Sequence, residues 1–264
     1  MTERLAILIP VYKNQRGLER SLDSLRVAEG SFSVVIVDDG SPEPILAPSR
    51  LREDVPVKLL RLEKNRGIAG ALNHGLQSIL KQPYSYIGRL DAGDTVVSNR
   101  FERQYAFLEA HPDCGVVSSF VDFVDHNEKP LFRYRAPSEH LEILRMLHLN
   151  NCIVHPASML RASSLKEIGW YREDLPGAED YELFLRMARR YRLAVLPEVL
   201  TRPEYALGGL SVAGRRRQQR SRLKLQLRYF DPASAYSFYG VARTLAAMLI
   251  PHAVVFQFKR AYLR

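Results

Sequence analysis

Three carboxylate pairs in this chain have the types and spacing to do chemistry: Asp38-Asp39, Asp91 with Asp94, and Glu179-Asp180. Two carboxylates three residues apart on a turn loosened by glycine, as in Leu90-Asp91-Ala92-Gly93-Asp94, can share a divalent cation that also binds phosphate oxygens. The same spacing equally suits a polar loop whose aspartates cap the next helix. Glu179 and Asp180 open a helical pattern, where the helix dipole favours acidic side chains, so capping and catalysis are both open for them. Like charges raise each other's pKa, and three such pairs at one sheet edge would be a poor design for stability alone. A cation and a hydroxyl-rich ligand among them would give the grouping a purpose.

The elements that must position these residues are legible from periodicity. Leu5-Ala6-Ile7-Leu8-Ile9-Pro10 is a continuous apolar run ended by proline, the pattern of a central parallel strand. Leu18, Leu22 and Leu25 then predict a helix from Arg16 to about Ala28. Ser33 to Val37 reads as a second buried strand ending in Asp38-Asp39-Gly40-Ser41, and Val57 to Leu62 as a third. Asn65-Arg66-Gly67 is a turn before a helix marked by Ala69, Leu72, Leu76 and Ile79. Tyr86 to Leu90 is a further buried strand that runs straight into Asp91. Carboxylates at the carboxyl ends of strands are where open α/β sheets place ligand-binding groups. Phe101, Tyr105 and Leu108 mark a helix, Gly115 to about Phe123 a strand, and Leu141 to Leu149 a helix. Ile153 to Leu160 reads as a strand carrying His155, which is either a metal ligand or a satisfied core histidine. Leu183, Phe184, Met187 and Ala188 share one face of the helix opened by Gly177-Ala178-Glu179-Asp180, and Leu193–Leu196 and Val199–Ala206 are the last two strand candidates. This alternation predicts an α/β fold with a mostly parallel sheet flanked by helices.

Composition narrows the class. At 264 residues, with 46% hydrophobic and 25% charged residues, the chain suits one large soluble α/β domain with an appendage. Cys114 and Cys152 lie in unrelated contexts without metal-ligand spacing and fit a reducing compartment. No secretory signal pattern precedes the first strand, so a cytoplasmic location is expected. No dinucleotide-binding G-x-G-x-x-G follows the first strand, and neither a Walker A sequence nor a G-x-S-x-G elbow occurs.

Net charge divides unevenly. Residues 214–264 hold eleven lysines and arginines against Asp231 alone, a charge of +10, while residues 1–213 are close to −1. The boundary separates a catalytic-type domain, 1–213, from a basic helical tail, 214–264. Within that tail Val241 to Phe258 is apolar but interrupted by Arg243, Pro251 and His252, which argues against a spanning helix. Two readings stay open: an interfacial segment on an anionic membrane surface, or a basic helix packed on the body. No recognised nucleic-acid motif accompanies the charge.

The chain resembles the family 2 glycosyltransferases in six blocks that follow the family's order over about residues 5–190. They are Ile7-Leu8-Ile9-Pro10-Val11-Tyr12-Lys13-Asn14, Val35-Ile36-Val37-Asp38-Asp39-Gly40-Ser41, Asn65-Arg66-Gly67-Ile68-Ala69-Gly70-Ala71-Leu72-Asn73, Arg89-Leu90-Asp91-Ala92-Gly93-Asp94, His155-Pro156-Ala157-Ser158-Met159-Leu160-Arg161 and Glu179-Asp180-Tyr181-Glu182-Leu183. The resemblance implies a GT-A, Rossmann-like fold, a nucleotide-sugar donor (UDP-linked in the favoured case) and an inverting transfer to a glycan or lipid-linked saccharide. By position, it implies that Pro10, Tyr12 and Asp39 hold base and ribose with Asp38 beside them, and that Arg66 and Asn73 contact the nucleotide and its phosphates. It further implies that Asp91 and Asp94 hold the donor sugar and a divalent cation, Mn²⁺ or Mg²⁺, and that Asp180, beside Glu179, is the catalytic base. Many relatives read D-x-D-D where this chain has Gly93, so Asp94 with His155 is the expected substitute ligand set and metal dependence is in question. That departure motivates a rival reading, a catalytically impaired sugar-nucleotide-binding subunit. Nucleotidyl transfer is a third.

Overall fold

In a computed structural model the described residues are 4–97, 99–205 and 215–249. Strands β1 (Leu5–Val11) and β2 (Ser33–Asp38) are buried along their whole length, as continuous apolar runs require when both sheet faces are covered. Helix α1 (Gln15–Arg26) crosses between them and packs Leu18, Leu22 and Leu25 on the sheet. The antiparallel pair β3 (Arg50–Arg52) and β4 (Val55–Arg61) follows, then α2 (Gly67–Ile79) and β5 (Tyr86–Arg89). Strands β4, β2, β1 and β5 lie side by side and parallel, so the loops after β1, β2 and β5 open on one edge.

Beyond β5 the sheet becomes mixed. The remaining elements are β6 (Thr95–Val96), α3 (Arg100–Ala110), β7 (Cys114–Val124), β8 (Pro130–Tyr134), α4 (His140–Leu149), β9 (Met159–Arg161), α5 (Ala162–Ile168), α6 (Glu179–Met187) and β10 (Arg192–Arg202). The strand order is β3-β4-β2-β1-β5-β9-β7-β10-β6, with β8 on β7. β9 pairs antiparallel with both β5 and β7. Two apolar clusters fill the opposite faces of the sheet, one beneath α2 and α6 and one beneath α1 and α3.

Several expectations are corrected. His155 is not on a strand: His155–Ala157 form a 3₁₀ turn, because Pro156 cannot donate to a ladder, and β9 starts only at Met159. The two last strand candidates are one strand, β10, which carries Pro197 across a shift in its register with β7. Residues 130–134, without a clear signal in the sequence, form β8. In the basic tail, α7 (Arg215–Arg228) and α8 (Ala235–Leu249) pack on the body, with Leu225 in the same apolar cluster as Phe184 of α6. Residues 250–258 of the apolar stretch lie outside the described residues. Among the described residues no helix is long and apolar enough to cross a membrane.

The loop that carries Asp38 and Asp39 depends on Gly40, whose φ of 67° is left-handed. A Cβ there would lie 2.5 Å from the Lys64 carbonyl carbon and 2.7 Å from the Asn65 nitrogen. Gly40→Ala therefore meets backbone that cannot rotate aside, and a loss of about 2–4 kcal/mol is expected from the strained φ and the overlap together. Urea unfolding of the variant, read with nucleotide affinity, checks this; a change under 1 kcal/mol, on the order of an ordinary surface substitution, would contradict it.

Candidate active site

The Asp91–Asp94 turn is held from below by α1. Asn14 caps that helix, its Oδ1 accepting the Gly17 N–H at 3.0 Å, while its Nδ2 donates to the Ala92 carbonyl at 2.8 Å. One turn on, the Ser21 hydroxyl donates to the Asp94 carbonyl at 2.8 Å and accepts the Gly93 N–H at 2.9 Å. Arg20 Nε donates to the Gly93 carbonyl at 3.1 Å and its Nη2 pairs with Glu204. These contacts explain Gly93. Its φ is 117°, and a Cβ would lie 2.8 Å from Glu204 Oε2, so the Arg20–Glu204 pair fills the room a side chain would need.

Asp91 is positioned from inside the sheet. Arg89, the last residue of β5, has no exposed surface, and its Nη2 donates to Asp91 Oδ1 at 2.6 Å. Its Nη1 donates to the Leu8 carbonyl of β1, and its Nε reaches His155 Nε2 at 3.4 Å. The Tyr171 hydroxyl lies 2.7 Å from the same nitrogen. A guanidinium can only donate, so His155 Nε2 is an acceptor, Tyr171 donates to it, and the imidazole is neutral. Burial and the Arg89 charge push the His155 pKa well below its ordinary value, in agreement. Asp91 keeps 42% of its side chain exposed at the mouth of this network.

His155 and Asp94 do not join Asp91 as a ligand set. The Nε2 lone pair of His155 is shared by Tyr171 and Arg89, and a cation there would face the guanidinium. Asp94 is buried, and its Oδ1 accepts the Glu204 N–H at 2.9 Å. Burial, then the Asp91 charge, raises its pKa well above the ordinary value, although the Arg100 charge opposes this. Among the described residues no three His, Cys, Asp or Glu side chains gather where one ion could touch them.

The Asp91 charge reaches the N-terminus of α6. Asp180 Oδ2 accepts from Asn151 Nδ2 at 2.9 Å and Oδ1 from the Tyr181 N–H at 2.7 Å. Burial, then the Glu179 charge, with a smaller contribution from Asp91, raises the Asp180 pKa to about 7. Glu179, itself buried, is raised too, mainly by burial, and its Oε2 has no hydrogen-bond partner, whereas Asp180 is only partly buried. An unpaired buried carboxylate oxygen beside a second carboxylate is costly, and it is tolerated where a ligand supplies the missing partner.

The parallel half of the sheet holds the other candidates. Tyr12 is 42% exposed after β1, whereas Pro10 is buried within that strand. Asp39 accepts the Arg66 N–H at 2.8 Å, and burial raises its pKa. Asp38 turns into its own loop and shapes it, accepting N–H groups of Ser41 at 2.9 Å and Ile45 at 3.3 Å. Arg66 Nη2 donates to both Glu173 oxygens, at 2.9 and 3.0 Å. Asn73 donates to the Tyr171 carbonyl at 2.9 Å and accepts the Tyr171 N–H at 3.0 Å. One segment, Tyr171–Glu173, thus touches Arg66, Asn73 and His155 and leads directly to Glu179 and Asp180.

With this geometry in view, similarity to known proteins becomes informative. The chain matches the model of Glycosyl transferase family 2 over residues 6–169. An uncharacterized glycosyltransferase of Haemophilus influenzae is 31% identical over 222 residues, covering 81% of this chain and 79% of that protein. The amylovoran biosynthesis glycosyltransferase AmsE of Erwinia amylovora is 29% identical over 202 residues, 74% of each chain. Among solved structures, S. aureus TarS in complex with UDP-GlcNAc superposes with a TM-score of 0.67 at 20% identity, over 92% of this chain and 71% of that one. The mannosyltransferase PcManGT of Pyrobaculum calidifontis, in complex with GDP-Man and Mn²⁺, gives 0.62 at 19% identity, over 98% and 80%. These superpositions show the GT-A fold. The chain belongs to the family 2 glycosyltransferases.

Asn14, Ser21, Arg89, Asn151 and Tyr171 were not singled out as site residues from sequence. Only Arg89 carried a signal, being a charge inside a buried strand that must find a partner. The Asp94 contacts generate a test of its role. Its raised folded pKa means that the fold favours the protonated carboxyl, so this contribution is full below the unfolded pKa and is lost as pH rises through the folded one. Asp94→Asn keeps an acceptor for the Glu204 N–H without a charge to bury. Urea midpoints should show the variant gaining on the parent between pH 5 and pH 8; a variant losing ground over that interval would give Asp94 a charged role.

Proposed function

We propose that this glycosyltransferase is an inverting enzyme that moves a sugar from a nucleoside diphosphate sugar, UDP-linked in the favoured case, to a hydroxyl of a glycan or lipid-linked saccharide. Cell-surface polysaccharide synthesis at the cytoplasmic face of a membrane is the proposed setting. The observation that carries this reading is Asp180: a carboxylate held by Asn151 and raised to about 7 by burial and by the neighbouring Glu179 charge. A general base works best when its pKa lies near the operating pH. The amylovoran role in the name of AmsE, and the UDP-GlcNAc bound by TarS, support the setting and the donor class.

In the proposed step the acceptor hydroxyl oxygen attacks the anomeric carbon and passes its proton to Asp180. The bond from that carbon to the diphosphate breaks, and the nucleoside diphosphate leaves with the bonding pair. A single displacement from the opposite face inverts the centre. Asp39 and Tyr12 border the nucleotide end, and Arg66 and Asn73 border the phosphates once Glu173 yields the guanidinium. A divalent cation, when bound, would neutralise charge on the departing diphosphate. Asp91, partly exposed at the end of β5, would hold it together with the donor's own oxygens. The donor set fits a weak site completed by the donor.

Two measurements test these assignments. Asp180→Asn should lower turnover by ~10²–10⁴ while nucleotide affinity stays unchanged, since the base meets the acceptor. In the parent, kcat/KM should fall with decreasing pH through about 7 as Asp180 takes up a proton. Asn151→Ala removes a donor that favours the charged carboxylate, so that limb should move to higher pH. Wild-type turnover in Asp180→Asn would remove the base, and wild-type nucleotide binding with no turnover in the parent would favour the binding-subunit reading. Calorimetric titration with Mn²⁺ should show weak binding to the free protein, tightened about tenfold or more by saturating UDP, with UDP affinity rising by the same factor in Mn²⁺. Equal Mn²⁺ affinity with and without UDP would show that Asp91 does not share its ion with the nucleotide.

A further inference from the structure

Helix α8 is packed the wrong way round for a surface helix. The residues it buries against the body are Ser237, Gly240 and Thr244, spaced i, i+3, i+7. The approach at Gly240 is so close that a Cβ would lie 2.1 Å from the His148 carbonyl oxygen of α4, and the Ser237 hydroxyl is 2.9 Å from His148 Nδ1. Its large apolar side chains point outward: Phe238 is 56% exposed, Tyr239 62%, Leu245 46% and Leu249 85%. Phe238, Ala242, Leu245 and Leu249 recur at i, i+4, i+7 and i+11, one uncharged stripe along the helix. A helix with a free choice would bury that stripe and show its serine, glycine and threonine to water.

The neighbouring α7 shows charge instead. Arg216, Arg217, Arg220, Lys224 and Arg228 are exposed, while Gln219, Ser221, Leu225 and Gln226 are buried. α7 and α8 pack on each other, so a cationic stripe and an apolar stripe belong to one helical hairpin. This hairpin is fixed to the elements that carry the base. The Ser221 hydroxyl donates to the Pro176 carbonyl at 3.2 Å, Gln226 Nε2 to the Leu149 carbonyl at 3.0 Å, and Tyr229 to Glu182 of α6 at 3.3 Å. Pro176 and Leu149 lie a few residues from Asp180 and from its partner Asn151.

Resting on the proposed transfer to a lipid-linked acceptor, we infer that the α7–α8 hairpin is a rigid docking platform for an anionic lipid surface, with Phe238, Leu245 and Leu249 entering the interface and the α7 cations meeting the headgroups. Charge complementarity selects this occupant. A second copy of the chain would set one strongly basic hairpin against another, and a nucleic acid would leave the apolar stripe without a use. Docking through a packed hairpin, rather than through a loose tether, sets the height of Asp180 above the membrane surface.

The test uses the full chain and vesicles of phosphatidylglycerol mixed with phosphatidylcholine, or of phosphatidylcholine alone. Flotation should recover the protein with the anionic vesicles. Raising the salt from about 0.1 M to 0.5 M should lower the partition coefficient about tenfold without abolishing it, because screening weakens the cations and not the apolar stripe. The triple variant Phe238→Ser/Leu245→Ser/Leu249→Ser should lose about tenfold or more in partition while keeping wild-type UDP affinity and melting temperature. Arg220→Gln/Lys224→Gln/Arg228→Gln should lose the preference for anionic lipid. No flotation of the parent, or wild-type flotation of the serine variant, overturns the proposal. A concentration-dependent dimer in sedimentation that the serine variant dissolves would assign the stripe to a second copy instead. RNA binding that competes with vesicles and is indifferent to the serine substitutions would assign the hairpin to nucleic acid. Vesicle binding without sugar transfer would leave the platform standing and count against the proposed transfer alone.

Discussion

The pairing of Arg89 with Asp91 is the contact on which the rest of the site depends. A guanidinium with no exposed surface is tolerated only if its donors and its charge are matched. The Leu8 carbonyl, His155 Nε2 and Asp91 Oδ1 do this, and they come from three separate parts of the chain. Only the guanidinium side of this pair is buried, with Asp91 partly exposed, so removing Asp91 would leave a buried charge short of a partner, and the pair commits the chain to its local arrangement. Asp91 is drawn back to the end of β5, one oxygen engaged, at the edge where the parallel strands end. His155 is drawn inward at the same time, which is why its 3₁₀ turn packs against β5 rather than lining an ion site.

From that fixed point the carboxylates separate into different tasks. Asp38 folds its own loop, Asp39 receives the Arg66 peptide, and Asp94 ties the turn to Glu204. Glu179 and Asp180 remain beside each other at the start of α6, where burial raises both, with the Asp91 charge adding to it at Glu179 and the Glu179 charge, then that of Asp91, at Asp180. Groups with the same chemistry thus differ in their contacts because their surroundings differ.

The segment from Tyr171 to Asp180 links the two halves of the site. Its first residues contact Asn73, Arg66 and His155, and its last residues are the carboxylates of α6. Glu173 on Arg66 is partly exposed on both sides, so the pair is weak and exchangeable by the measure of surface ion pairs. In the proposed complex a diphosphate would offer that guanidinium more charge than one carboxylate does, and the exchange would leave the buried Arg89 network undisturbed.

By itself, the sequence determined the class of fold, the order of the strands that open on the site, and the positions at which carboxylates would occur. Continuous apolar runs such as Leu5–Ile9, and acidic residues directly after them, report burial and chain direction, which are local properties. The family resemblance was legible because its blocks are contiguous. Tertiary structure alone decided which carboxylates are tied into the fold and which stay open at the strand ends. Asp91 and Asp94 are three residues apart and alike in sequence, yet one answers a buried arginine from β5 and the other a peptide N–H 110 residues later at Glu204. Gly93 reads as a missing ligand until the Arg20–Glu204 pair is seen to fill its side-chain space. The tail shows the same limit. Charge and hydropathy revealed a basic segment followed by an apolar one, but which face of α8 turns inward was set by a close approach to the His148 backbone that only Gly240 allows. Hydrophobic periodicity marks which residues of a helix lie together, whereas the partner that covers them is chosen by contacts made far away in the chain.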